Sequence, residues 1–320
     1  MRIVFMGTPS FAAASLEALV SAGHEVIGVF SQPDKPVGRH QNKLRPTPVK
    51  EYAQGHGIPV YQPENLRDGS ALAVLRELDP ELIVAAAYGR ILPDDILALP
   101  PKGCINVHSS LLPKYRGSAP INWAILNGDS ETGVTIQEMV HDLDAGDVIL
   151  QRATPIGADE DAAALYDRLA ELGGELLTEA VAQIEAGTAI RTPQDHEKAT
   201  LAPMLSRALS PINWTRPAQA VHDQVRGLYP WPAASTDAIS GDTIKIYRSS
   251  LPGKTVSTYP GVIVSADKQG IDIACGDGQV LRVLELQAPG GKRMSAAAYL
   301  AGHPIDLRSK KGEQHGSSRL

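Results

Sequence analysis

The sequence predicts a doubly wound α/β domain with a mainly parallel sheet, followed by a C-terminal domain built as an OB-like β-barrel. Three observations carry this. Short apolar runs alternate with helical patterns over the first part of the chain, the rhythm of βαβ units. Polar and turn residues break that rhythm between residues 187 and 207. Beyond the break come short strand-like segments separated by Gly and Pro, the pattern of a small barrel. A chain of 320 residues is long for one core and comfortable for two.

Residues 2–7 read as a buried strand, and residues 11–22 as a helix that ends before Gly23. Further strands are expected at 24–30, 58–62 and 81–88, with a helix at 69–78. Residues 103–109 supply the next strand and 119–127 a short helix. The runs 133–139 and 147–155 read as a paired set of strands, and 159–186 as a long helix with an apolar stripe and an acidic start. Gly7-Thr8-Pro9-Ser10 follows the first strand where a dinucleotide fingerprint would sit, but it lacks the second and third glycines. A tight strand-to-helix turn explains it. In the second domain a helix is expected at 217–228, a rigid corner at Tyr229-Pro230-Trp231-Pro232, and strands at 243–248, 261–266, 270–274 and 279–286. The domain boundaries follow: 1–187, a linker at 188–207, the barrel at 208–308 and a polar tail at 309–320.

The composition, 43% hydrophobic and 21% charged, is that of an ordinary soluble protein. Cys104 and Cys275 fit neither a disulfide framework nor a metal spacing, which points to a reducing, cytoplasmic setting without a bound metal. The apolar part of residues 1–7 is too short for a signal peptide, and residues 82–88 are too short to span a bilayer, so no membrane role is expected. No long coiled coil or exposed apolar strip demands a dimer, and a monomer is expected. Net charge is −6, yet residues 205–320 hold 14 Lys/Arg against 9 Asp/Glu. A basic C-terminal third on an acidic chain suggests a polyanionic partner, against the plainer reading of a fluctuation in surface charge.

The most informative stretch is Cys104-Ile105-Asn106-Val107-His108-Ser109 running into Ser110-Leu111-Leu112-Pro113-Lys114-Tyr115-Arg116-Gly117. Strand alternation puts Asn106 and His108 on one face. An amide and an imidazole side by side at a strand's carboxyl end suit acyl-group chemistry, which needs a donor for a developing oxyanion and a group that moves protons. The carboxylates of His141-Asp142-Leu143-Asp144-Ala145-Gly146-Asp147 could orient and charge that imidazole. Alone, an Asn-x-His pair is more often structural, and Asp-Ala-Gly-Asp is more often a turn.

Together these segments resemble the formyltetrahydrofolate-dependent formyltransferase family, with its formyltransferase-type Rossmann-like sheet. The Ser110–Pro113 run followed by Tyr115-Arg116-Gly117 is a specific family signature, and the similarity extends over nearly the whole chain. The resemblance implies that Asn106, His108 and Asp144 form the catalytic set. It further implies that Ser110, Leu111, Leu112 and Pro113 line the folate site. Residues Tyr88, Arg90, Ile91 and Leu92 look like the pterin-side wall, with Ile91 and Leu92 as walls and backbone at Arg90 and Leu92 as hydrogen-bonding groups. A helix start with Leu in the core explains that segment equally well.

Three further blocks narrow the resemblance: residues 32–50, Ile212-Asn213-Trp214 running to Pro232, and Leu286-Gln287-Ala288-Pro289-Gly290-Gly291-Lys292-Arg293-Met294. They imply formyl transfer from 10-formyltetrahydrofolate to the α-amino group of methionine on initiator tRNA, with no metal. Asn106 would donate to the oxyanion. Asp144 would keep His108 protonated and help relay the ammonium proton. Residues 34–50 carry five basic side chains against one acid, punctuated by three prolines, and read as an exposed arm. Such an arm can reach nucleic-acid phosphates, with Arg39, Lys43 and Arg45 as leading contacts and Lys292 and Arg293 as secondary ones. A solvated surface loop is the plainer reading. The alternatives carried forward are a 10-formyltetrahydrofolate hydrolase, a formyltransferase for small amines or sugars, a tRNA-binding module on an inactive sheet and, more distantly, a nicotinamide reductase.

Overall fold

A computed structural model describes residues 1–37, 43–305 and 307. In chain order the first part contains β1 (Arg2–Gly7), α1 (Ser10–Ser21), β2 (Glu25–Phe30), β3 (Lys35–Val37), β4 (Lys43–Arg45), α2 (Pro48–Gly55), β5 (Val60–Tyr61), α3 (Ser70–Leu78), β6 (Leu82–Ala86), α4 (Asp94–Leu97) and β7 (Cys104–His108). There follow β8 (Arg116–Gly117), α5 (Pro120–Leu126), β9 (Glu131–Glu138), β10 (Val148–Pro155), α6 (Ala162–Ala186) and β11 (Leu201–Ala202). The remainder holds α7 (Ala218–Gly227), β12 (Ala234–Thr236), β13 (Ile244–Ser250), β14 (Ile263–Asp267), β15 (Gly270–Ala274), β16 (Val280–Gln287), β17 (Met294–Ser295) and α8 (Ala296–Gly302).

Seven strands form one sheet in the order β10-β9-β7-β6-β1-β2-β5. The pairs β2–β5, β1–β2, β1–β6 and β6–β7 are parallel, whereas β7–β9 and β9–β10 are antiparallel. Ile3, Val4, Phe5 and Met6 of β1 are fully buried, as a central strand covered on both faces must be. The strand order reverses beside β1, so the crevice lies at the carboxyl ends of β1, β6 and β7. Gly7 is required there, because a side chain at this position would meet the Ala12 Cβ at 2.6 Å and the Ala86 carbonyl oxygen at 3.0 Å. On one face Val4, Met6, Phe30 and Ile83 pack with Leu75 of α3 and Ile96 of α4.

The second sheet is antiparallel in the order β12-β13-β16-β15-β14, with β17 on β16. Among the described residues these pairings form an open path and do not close it into a barrel. Its core includes Ile244, Ile246, Ile271, Ile273, Leu281 and Val283, covered by Val221 and Val225 of α7.

Differences from expectation have local causes. The strand expected at 58–62 shrinks to Val60–Tyr61, an edge strand preceded by Pro59. The arm expected over 34–50 ends earlier: β3 and β4 form a hairpin, and α2 then begins behind a Thr47 cap that accepts from the Lys50 N–H. Lys50 therefore sits on a helix and pairs with Asp34 at 2.6 Å, which holds the Asp34 carboxyl below its ordinary range. The chain divides into two compact units, and the division is not one cut near residue 187. Unit one comprises Met1–Ile121, Glu131–Pro155 and Ala164–Pro203; unit two takes Asn122–Ser130, Ile156–Ala163 and Met204–Leu320. Among the described residues no helix is long and apolar enough to cross a membrane. Arg39 and the tail at 309–320 lie outside the described residues.

Candidate active site

β7 runs between β6 and β9, and its antiparallel register sets Asn106 opposite Gln137 and His108 opposite Thr135. Asn106 and His108 are alternate residues of one strand and share a face. The Asn106 side chain is half-buried, and among the described residues its amide has no hydrogen-bond partner.

His108 is buried. Its Nε2 lies 2.9 Å from the Tyr115 carbonyl oxygen. A carbonyl only accepts, so Nε2 carries a proton and Nδ1 is the nitrogen left for exchange. Nδ1 faces Asp144 Oδ1 at 3.6 Å, longer than a hydrogen bond.

Asp144 lies on the loop between β9 and β10 in the left-handed region, with φ +50°. Its Oδ2 accepts from the Gly117 N–H at 2.8 Å and its Oδ1 from Gln137 Nε2 at 2.9 Å. Gly117 itself must be glycine: φ is +119°, and a side chain would stand 2.8 Å from the Ala202 carbonyl oxygen. Of the loop's carboxylates, Asp144 alone comes within ion-pair distance of the imidazole among the described residues. Asp142 is exposed, and His141 instead pairs with Asp94 at 3.0 Å, a contact that raises the imidazole's proton affinity.

The loop after β7 is fixed internally. Ser110 is fully buried and its hydroxyl donates to the Lys114 carbonyl at 2.6 Å, so this side chain serves the turn. The Leu112 N–H donates to Thr135 Oγ1 at 3.2 Å, and the Leu112 carbonyl accepts from Gln151 Nε2 at 3.0 Å. Leu111 and Pro113 are half-buried.

The segment after β6 divides between its two readings. Tyr88 and Leu92 belong to the core of the first unit, whereas Ile91 is 65% exposed. Arg90 is tied by its side chain to Gln32 Oε1 at 3.1 Å and to the Glu64 carbonyl. Among the described residues the peptide groups of Arg90 and Leu92 carry no hydrogen bond.

Of the basic positions, Arg45 is exposed on β4, and Lys43 begins the same strand. Lys292 is exposed. Arg293 is engaged within its own unit: Nε donates to Glu285 at 2.7 Å and Nη1 to the Tyr229 hydroxyl at 2.9 Å, and the guanidinium sits about 5 Å from both the Tyr229 and Tyr247 rings. Sequence reasoning missed Gln137 and Gln194. Gln194 was expected to lie in a linker, yet it is buried and donates to the Asp144 carbonyl at 2.9 Å.

Comparison with known proteins agrees with this geometry. The formyl transferase family model matches residues 1–181, and the model of the formyl transferase C-terminal domain matches residues 204–304. A methionyl-tRNA formyltransferase of Trichlorobacter lovleyi is 48% identical over 306 residues, 96% of this chain and 95% of that protein. One from Moorella thermoacetica is 48% identical over 305 residues, covering 95% and 97%. Among solved structures, an N-formyltransferase from Helicobacter canadensis in complex with folinic acid and dTDP-3-aminofucose superposes with a TM-score of 0.67 at 20% identity, covering 88% of this chain and 98% of that one. HypX from Aquifex aeolicus in complex with tetrahydrofolic acid superposes at 0.62 and 19% identity, over 94% of this chain and 47% of that one. Those two likenesses concern the fold. On the family models and the full-length relatives together, this chain belongs to the formyl transferase family.

Proposed function

We propose that this chain transfers the formyl group of 10-formyltetrahydrofolate to the α-amino group of methionine carried on initiator tRNA. The observation that carries the reading is 48% identity to a methionyl-tRNA formyltransferase over 96% of the chain, both units included. The N-formyltransferase solved with folinic acid and dTDP-3-aminofucose is 20% identical, a likeness of fold alone.

The formyl donor supplies an acyl carbon already bonded to nitrogen, so transfer needs an attacking amine, an oxyanion donor and a path for one proton. The α-amino group has a reference pKa of about 7.7–8.0, which leaves a useful fraction unprotonated near neutral pH. Asn106 has a free side-chain NH₂ on the face it shares with His108, and it donates to the oxygen as the carbonyl becomes tetrahedral. His108 holds its Nε2 proton on the Tyr115 carbonyl, so Nδ1 receives the proton of the attacking amine and returns it to N10 of the leaving folate. The Asp144 carboxylate, 3.6 Å from Nδ1, stabilises the imidazolium formed between those two transfers. The step calls for no metal.

The unengaged peptide groups of Arg90 and Leu92 can pair with the edge of a pterin, and exposed Ile91 and Leu143 offer apolar cover. Leu92 serves through its backbone, since its side chain is in the core. On the tRNA side, Arg39, Lys43 and Arg45 contact the acceptor end, and Lys292 of the second unit meets the phosphate backbone. Arg293 orders Tyr229 and Tyr247 and contributes less. The two cysteines, both free and buried, suit a reducing cytoplasmic setting, and we infer that the enzyme works there as a monomer.

The test is incubation with labelled 10-formyltetrahydrofolate and charged initiator tRNA, with charged elongator tRNA as the control. Transfer to the initiator species and little to the elongator is expected. Release of formate without tRNA at a matching rate would overturn the reading in favour of a hydrolase.

A further inference from the structure

The polar contacts around Asp144 extend beyond the three groups used above. Gln194, in the irregular segment after α6, is only 7% exposed. Its Nε2 donates to the Asp144 carbonyl at 2.9 Å and to the Gly146 carbonyl at 2.7 Å, and lies 3.3 Å from Gln137 Oε1. Its Oε1 accepts two bonds from Arg116, from Nη2 at 2.7 Å and Nε at 3.2 Å. Arg116 is the residue before Gly117, whose N–H holds the Asp144 carboxylate at 2.8 Å. The contacts close into a ring that runs from Gln194 to the Asp144 backbone, through the Asp144 carboxylate to Gly117, and back through Arg116 to Gln194.

We propose that Gln194 is a positioning residue for formyl transfer, holding the Asp144 loop so that its carboxylate faces His108 Nδ1. This rests on the role given to Asp144 under Proposed function. The chemistry of the ring requires an amide. The Arg116 fork needs an acceptor, the two loop carbonyls need a donor, and one buried side chain provides both. The loop also needs tethering. Asp144 has φ +50°, a left-handed conformation that costs a non-glycine residue free energy, though less for Asp than for most side chains. A positioning residue acts on how the reacting groups are aligned, so its loss should appear in kcat rather than in substrate affinity.

Two variants separate this role from a merely structural one. Gln194→Glu keeps the acceptor for Arg116 but removes the donor and sets negative charge against two carbonyl oxygens. Gln194→Met keeps the volume and removes both functions. The expected result for each is a fall in kcat of roughly 10–100-fold per folded molecule, with KM for folate and for tRNA close to wild type. A crystal structure of Gln194→Glu should show Asp144 Oδ1 further from His108 Nδ1 than in the native protein. If Gln194→Met does not fold, Gln194→Glu decides, because it retains the Arg116 contact. Wild-type kcat in the folded variants, or a loss that falls wholly on KM, overturns the proposal. Asp144→Asn in the same assay separates the two ideas. If it retains wild-type kcat, the role of Asp144 itself fails. If it loses activity while both Gln194 variants retain theirs, only the inference about Gln194 fails.

Discussion

Asp144 in the first unit and Asp272 in the second are both held by hydrogen bonds in the protein interior, but their partners differ in charge. Asp272 is 1% exposed and meets Arg282 in a two-pronged contact, 2.7 Å from Nε and 3.0 Å from Nη2. Ser265 Oγ donates to it at 2.8 Å, and Lys254 stands 3.6 Å away. Asp144 is 11% exposed and is held by a backbone N–H and a side-chain amide, both neutral. Among the described residues no Lys or Arg pairs with it. Cations cancel the charge of Asp272, which makes it a fastener between β15 and β16. Neutral donors fix Asp144 without cancelling its charge, and that charge remains available to the imidazole beside it.

Removing the cation from the structural carboxylate should have the largest effect on stability. Arg282→Met leaves Asp272 buried with Ser265 and a more distant Lys254, and is expected to cost about 3 kcal/mol, read by denaturant unfolding. The same site carries a pH signature. Burial works against the Asp272 charge, but the bonds from Arg282 and Ser265 and the charges of Arg282 and Lys254 outweigh it and hold the carboxyl below its ordinary value. A lowered folded-state pKa means that the unfolded chain binds the proton more readily. This contribution is therefore complete above about pH 4, where unfolded Asp is ionised, and is lost as pH falls further through the folded-state value. Unfolding followed from pH 6 downwards should show a steeper acid loss in the native protein than in Arg282→Met. Equal slopes would mean that the pair is not what fastens β15 to β16.

Exposed charge on the β3–β4 hairpin is the third case, and its removal should have the smallest effect on stability. Arg45 is exposed on β4. Replacing Arg39, Lys43 and Arg45 together with Ala should leave folding and folate binding intact and weaken tRNA binding. The log–log dependence of tRNA affinity on salt should become shallower by up to about one unit for each phosphate that the variant no longer neutralises. Superimposable salt curves for native and triple variant would show the hairpin to be a solvated surface feature.

The same contrast explains what could be read from sequence. β1, β6 and β7 were legible because buried parallel strands are nearly continuous apolar runs. Asn106 and His108 stood out because they interrupt such a run at a spacing of two. The antiparallel register that brings Gln137 opposite Asn106 is a tertiary fact with no local signal. Gln194 was hidden for a related reason. Its segment has no periodicity, and the polar and turn residues that look like a linker are the ones that allow irregular backbone to reach the Asp144 loop. The β3–β4 hairpin was missed because prolines and charges disguise a two-stranded ribbon. The early end of the arm followed from one capping residue, Thr47. Partners such as the Tyr115 carbonyl are backbone groups, and nothing about the residue type announces them.

The most direct test compares the two aspartates in one experiment, measuring single-turnover formyl transfer per folded molecule and unfolding free energy for Asp144→Asn and Asp272→Asn. For Asp144→Asn the expectation is a rate about 10²–10⁴-fold below native, with a stability loss of about 1–3 kcal/mol because the new NH₂ faces one of the two donors that the carboxylate accepted from. Asp272→Asn should lose about 3 kcal/mol of stability and keep its rate. A rate for Asp144→Asn within about tenfold of native, in protein that folds normally, would contradict the role of an uncancelled carboxylate beside His108.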